Sequence, residues 1–117
     1  MATILVCDDE RDIGSALKIY LTSEGHDVLI AHNGHEALRL LEENEVHLVL
    51  LDIMMPKKDG WQVCREIREI SPKPVIMITA KGEVFDKVLG LELGADDFIV
   101  KPFKPDRILQ TVKKILD

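Results

Sequence analysis

The chain has 117 residues and a formal net charge of −6, a single domain's worth of sequence with room for a core of its own. A hydrophobic share of 46% excludes a disordered chain, and the acidic balance with only 4% aromatic residues argues against direct binding to nucleic acid or an anionic membrane. Cys7 and Cys64 show no CxxC or metal spacing, no basic-then-apolar leader opens the chain, and no apolar run could cross a bilayer, so a reducing, cytoplasmic setting is expected.

Residues 3–7 form a short apolar run that ends abruptly in Asp8, Asp9 and Glu10, with Asp12 close behind. Ile13, Leu17, Tyr20 and Leu21 then fall on one helical stripe, closed by Gly25, a residue that tolerates positive φ. A second run covers 27–31, and Asn33 is placed to cap a helix burying Ala37, Leu38 and Leu41. His32 and His35 flank the turn signal Asn33-Gly34, so surface histidines are expected there rather than a metal pair. The third run, 46–52, ends on Asp52, and Ile53-Met54-Met55-Pro56 delays the next helix. Asp59 can cap that helix, with Val63, Ile67 and Ile70 inward, until Pro72 and Pro74 forbid continuation. The fourth run, 75–79, ends on Thr79, and a fourth helix is predicted over 83–93, up to Gly94. The fifth run, 98–101, ends on Lys101. Ile108, Leu109, Val112, Ile115 and Leu116 stripe the last helix.

Several of these runs are apolar at consecutive positions, as in strands covered on both faces. Strict alternation of such strands with helices predicts an α/β fold: a five-stranded parallel sheet of order 2-1-3-4-5, a flavodoxin-like three-layer sandwich. One domain over 1–117 is expected, with no output domain in this chain. Function in such folds sits at the carboxyl ends of the strands. There the first strand delivers Asp8 and Asp9, the third Asp52, the fourth Thr79 and the fifth Lys101.

Acids at a helix N-terminus gain about 0.3–1 kcal/mol each from the dipole, which accounts for Glu10 and Asp12. It accounts poorly for Asp52, which no helix follows directly. Two carboxylates about 4 Å apart repel by roughly 4 kcal/mol at an effective dielectric near 20, so such a cluster takes up protons or recruits a cation. Carboxylate oxygens without histidine or cysteine suit Mg²⁺ and not zinc. A divalent cation, a lysine and a hydroxyl around one carboxylate describe a site for phosphoryl oxygens. Asp52 is the candidate nucleophile, able to carry the phosphoryl group as a mixed anhydride, and Asp8 with Asp9 reads as the metal-binding arm.

The motifs CDDE at 7–10, LDIMMPKKDG at 51–60, ITA at 78–80 and DDFIVKPF at 96–103 stand in order at predicted strand ends. Together they make the chain resemble a response-regulator receiver domain of two-component signalling, over its whole length. The resemblance implies a phosphorylation-activated switch in which Asp52 takes a phosphoryl group from a histidine kinase or phosphotransfer protein. It implies Mg²⁺ held by Asp8, Asp9, Asp52 and the Met54 carbonyl, with Thr79 and Lys101 on the phosphoryl oxygens. Phe98 matches the switch aromatic, and Lys101-Pro102 matches a bond often held cis. The partner face would comprise the fourth helix, fifth strand and last helix, read by an effector or output domain. Residues two beyond the acceptor and the hydroxyl, Met54 and Lys81, would tune phosphoryl lifetime.

The stretch 90–103 is similar to receivers of winged-helix regulators, which pair through charges on that face. Lys87, Glu92, Asp96 and Asp97 match the first half of that pattern, whereas Arg107 and Thr111 stand where the subclass places an acid and then an arginine. A phosphorylation-dependent homodimer or a different partner surface is expected. Two rivals remain. A small Mg²⁺-dependent phosphatase or phosphotransferase with an aspartyl-phosphate intermediate would want a second acid where Met54 stands. A flavodoxin-type binder would want a Gly/Ser/Thr loop where Asp8 and Asp9 stand.

Overall fold

Each apolar run of the sequence becomes a strand of one parallel sheet in the computed structural model, which describes residues 2–8, 10–52, 60–79, 96–101 and 103–116. Among these residues the elements are β1 (Thr3–Cys7), α1 (Arg11–Ser23), β2 (Asp27–Ala31), α2 (Gly34–Glu43), β3 (Leu48–Asp52), α3 (Gly60–Ile70), β4 (Val75–Thr79), β5 (Asp97–Val100) and α4 (Pro105–Leu116). The strand order is β2-β1-β3-β4-β5, as the alternation predicts, and every neighbouring pair is parallel. The helix predicted over 83–93 and the cap at Asp59 fall outside the described residues.

Two strands differ in their limits from the hydropathy reading. β3 begins at Leu48 and not at 46, because Val46 is buried in the lead-in without joining the ladder. β5 spans Asp97–Val100, one residue earlier than expected, because Asp97, an acid that hydropathy rejects, pairs in register with Ile76. Lys101 therefore stands just past the strand.

Helix ends follow local chemistry. Gly25 adopts φ 87° after α1, and the N–H groups of Gly25 and His26 close on the carbonyls of Thr22 (3.0 Å) and Leu21 (3.2 Å), the paired bonds of a Schellman stop. Asn33 Oδ1 accepts the Glu36 N–H at 2.9 Å and caps α2 as predicted. In α4, Pro105 opens the helix, Asp106 lies in the first turn, and Lys113 and Lys114 lie in the last, in accord with the dipole.

The sheet has no solvent face in its centre. Leu5, Cys7, Val49, Leu51, Val75 and Met77 point to one side, where α2 and α3 cover them with Ala37, Val63, Cys64 and Ile67. Ile4, Val6, Leu48, Leu50, Ile76, Ile78 and Ile99 point to the other, under Leu17 and Leu21 of α1 and Ile108 and Val112 of α4. The two-residue strand period sends neighbours to opposite layers, so both must be apolar. Ile70, expected inward, is instead 48% exposed; it is the last residue of α3, where the helix leaves its layer.

Two side-chain devices tie the amino ends of the strands. His26 Nδ1 accepts the Ala2 N–H at 3.2 Å and His47 Nδ1 accepts the Thr3 N–H at 3.0 Å, serving the start of β1 from either side. Asp96 Oδ2 accepts the Val75 N–H at 2.9 Å and pairs with Arg68 Nη2 at 2.7 Å. Arg68 also donates to the Lys73 carbonyl. Asp96 is thus an internal brace joining α3, β4 and β5.

Candidate functional site

Parallel register brings the rim together. Cys7 is the partner of Leu51, so the residues that follow, Asp8 and Asp52, emerge side by side at the carboxyl ends of the two central strands. Both are buried. Lys101, just past β5, reaches across to them. Its Nζ lies 2.9 Å from Asp52 Oδ2, 3.2 Å from Glu10 Oε1 and 3.9 Å from Asp8 Oδ2. Carboxylate oxygens of Asp8, Glu10 and Asp52 lie within 4.8 Å of one another.

The two oxygens of Asp8 have different surroundings. Oδ1 accepts the Glu10 N–H at 2.8 Å, whereas Oδ2 is buried without a hydrogen-bond partner among the described residues. Burial pushes the Asp8 carboxyl up to about 7; the Glu10 N–H bond and the Lys101 charge oppose that rise, and the charge of Asp52 adds to it. For Lys101, burial acts to lower the pKa, but the hydrogen bond and charge of Asp52, with Asp8 and Glu10, outweigh it and the net direction is up. The ammonium is therefore held charged. One lysine against three carboxylates leaves the rim short of positive charge, and a buried carboxylate oxygen without a donor costs about 1–3 kcal/mol or more. An all-oxygen donor set with that deficit fits a hard divalent cation such as Mg²⁺. Among the described residues, no histidine or cysteine joins a potential metal-holding group.

Thr79 is the last residue of β4, in register with Val100 and so next to Lys101; its side chain lies outside the described residues, as does that of Trp61. Asp9, Met54, Met55, Lys81, Lys87, Glu92 and Pro102 lie outside them altogether. Phe98 is half-buried against the layer that α2 and α3 cover. Asp97 Oδ2 stands 3.7 Å from Lys114 Nζ, and its Oδ1 accepts the Phe98 N–H at 2.8 Å. Arg107 is exposed on α4, where it lines an open depression of about 460 Å³ with Phe98, Phe103 and Gln110. His32 is half-buried, 3.9 Å from Glu36, and His35 is exposed.

Glu10 is the rim residue that sequence reasoning set aside. The dipole account suits Asp12, exposed in the first turn of α1. Glu10 occupies the N-cap in extended geometry and its side chain makes no capping bond. That leaves the carboxylate available to Lys101. The available signal was its spacing two residues from Asp8, across the strand-to-helix bend.

Comparison with known proteins agrees with this fold. Residues 4–113 match the family described as the response regulator receiver domain. The receiver domain of NtrX from Brucella abortus is 36% identical with a TM-score of 0.92, the match covering 97% of each chain. A two-component response regulator from Clostridium difficile is 30% identical with a TM-score of 0.95, covering 99% of this chain and 96% of that one. A longer NtrX chain from Brucella abortus, also 36% identical, superposes with a TM-score of 0.93 on 98% of this chain, which spans only 27% of it. Receiver domains are signalling switches that typically bind Mg²⁺ at an acidic pocket. Among the described residues no helix is long and apolar enough to cross a membrane. Strand order, rim and sequence match converge, and the chain belongs to the response regulator receiver domain family of two-component systems.

Proposed function

We propose that Asp52 accepts a phosphoryl group from a phosphohistidine of a partner kinase or phosphotransfer protein, and that the acyl phosphate biases a partner-binding face. The observation that carries this reading is the buried Asp52 carboxylate at the end of a central strand, with Lys101 Nζ at 2.9 Å and Asp8 beside it. An Asp52 oxygen attacks phosphorus, the phosphorus–nitrogen bond breaks, and the imidazole leaves with its electron pair. Lys101 offsets charge on the phosphoryl oxygens, and Thr79 supplies a hydroxyl donor from the neighbouring strand end. Asp8, Asp9, Asp52 and the Met54 carbonyl would hold Mg²⁺, which when bound neutralises phosphoryl oxygen charge as a Lewis acid.

The added charge would change which packing of Phe98 is favoured, and with it a partner face that includes β5 and α4, to which the resemblance adds residues 83–93. An effector, an output domain or a second copy that prefers one packing reads the signal. Lys87, Glu92, Asp97 and Arg107 are its proposed contact residues.

The test is intact mass after incubation with acetyl phosphate. Wild type with Mg²⁺ should gain one phosphoryl group, and wild type with chelator or Asp52→Asn with Mg²⁺ should gain none. Labelling of Asp52→Asn at the wild-type level would overturn the assignment.

A further inference from the structure

The ammonium of Lys101 already touches the carboxylates that a cation would use: Asp52 at 2.9 Å, Glu10 at 3.2 Å and Asp8 at 3.9 Å. Lys101 is thus a counterion of the rim. A divalent cation entering among the same oxygens meets like charge at close range, so the lysine must yield part of its hold on Asp52. It needs somewhere to go. Of its three carboxylates, Asp8 and Asp52 are buried, while Glu10 is on the outer edge, with a side chain 59% exposed and no capping duty.

We infer that Glu10 is a positioning residue for this site: it is the second anchor onto which Lys101 shifts when a cation takes up oxygens of Asp8 and Asp52. The inference rests on the reading of the rim as a cation-assisted phosphoryl site, and adds a residue that this reading did not use. The buried Oδ2 of Asp8, without a hydrogen-bond partner among the described residues, is the independent sign that the rim suits a cation. Two effects of Glu10 then have one sign. Its charge draws cations to the rim, and its bond to Lys101 relieves the competition at Asp52. Loss of Glu10 should weaken cation binding on both counts, and only the second effect runs through Lys101.

That difference sets the experiment: calorimetric titration with MgCl₂ alone of wild type, Glu10→Gln, Lys101→Met and the double variant, on the full chain at fixed ionic strength. Glu10→Gln removes no capping bond, so the fold is expected to stand, and circular dichroism of each variant checks it. Glu10→Gln should raise the Mg²⁺ Kd about 3- to 10-fold in the wild-type background, within the range of modest exposed-charge effects. In the Lys101→Met background the same change should raise Kd no more than about 2-fold. An unchanged Kd in Glu10→Gln, or equal fold-changes in both backgrounds, would overturn the role assigned to Glu10 while leaving the phosphoryl site intact. Wild type that binds no Mg²⁺ and yet labels on Asp52 would instead overturn the cation-assisted reading beneath it.

Discussion

At the residue scale, Asp8 decides how the rim behaves without metal. Its carboxyl sits at about 7 because burial penalises the charged form, against an ordinary value of 3.8. Between those values the folded chain binds a proton that the unfolded chain has released, so the slope of stability against pH is negative. The contribution is fully present below about 3.8 and is lost as pH rises through about 7. Chelator-treated wild type should therefore lose stability in urea titrations from pH 5 to pH 8, and Asp8→Asn should lose much less. At pH 8 the variant should be the more stable protein, by on the order of a few kcal/mol. Comparing the two proteins isolates the contribution of Asp8. Mg²⁺ competes with the same proton, so it should raise the wild-type Tm more at pH 8 than at pH 5.5 and scarcely move Asp8→Asn. A metal-free wild type whose stability climbs with pH relative to the variant would contradict the sign.

At the element scale, the brace at Asp96 joins pieces that the chain separates widely. An ion pair with a half-exposed carboxylate contributes little by itself, and the Arg68 and Asp96 side chains are 23% and 43% exposed. The Val75 N–H is another matter, since it lies at the start of β4 and takes its acceptor from Asp96 Oδ2. Asp96→Ala leaves that donor unmatched and should cost about 1–2 kcal/mol. Asp96→Asn retains an amide oxygen for Val75 while discarding the charge, and should cost roughly half as much. Urea unfolding at low and high salt distinguishes the contributions: the Ala substitution should cost more than the Asn at both, whereas a brace held by charge alone would show equal costs for the two. On the sequence alone Asp96 belonged with Asp97 in a charged surface pattern. The brace itself is not legible there, because Arg68 lies on α3, 28 residues earlier in the chain, a relation that no local window contains.

At the scale of the whole molecule, the division between what the residues announced and what they hid follows the range of the physics. Consecutive apolar residues such as Leu50 and Leu51 signal a sheet covered on both faces, and alternation with helices limits the strand order, so fold and rim address were legible. Asp8, Asp52 and Lys101 could be placed at strand ends, but their contact depends on the pairing of Cys7 with Leu51 and on the reach of a lysine beyond β5. Glu10 was hidden because its role depends on the angle at which the chain leaves β1 for α1. The two-sided core is itself testable. Leu50 packs into the layer under α1 and α4, Leu51 into the layer under α2 and α3, and both are fully buried. Leu50→Ala and Leu51→Ala should each cost about 2–5 kcal/mol in urea unfolding, and an aspartate at either position should abolish the cooperative transition. A sheet with one wet face would tolerate one of the two substitutions within about 0.5 kcal/mol. Because Asp52 follows Leu51 directly, both layers press on the strand that presents the proposed acceptor. Loosening either should therefore disturb the rim as well as the core: under conditions where each variant is still folded, both should label more slowly with acetyl phosphate than wild type.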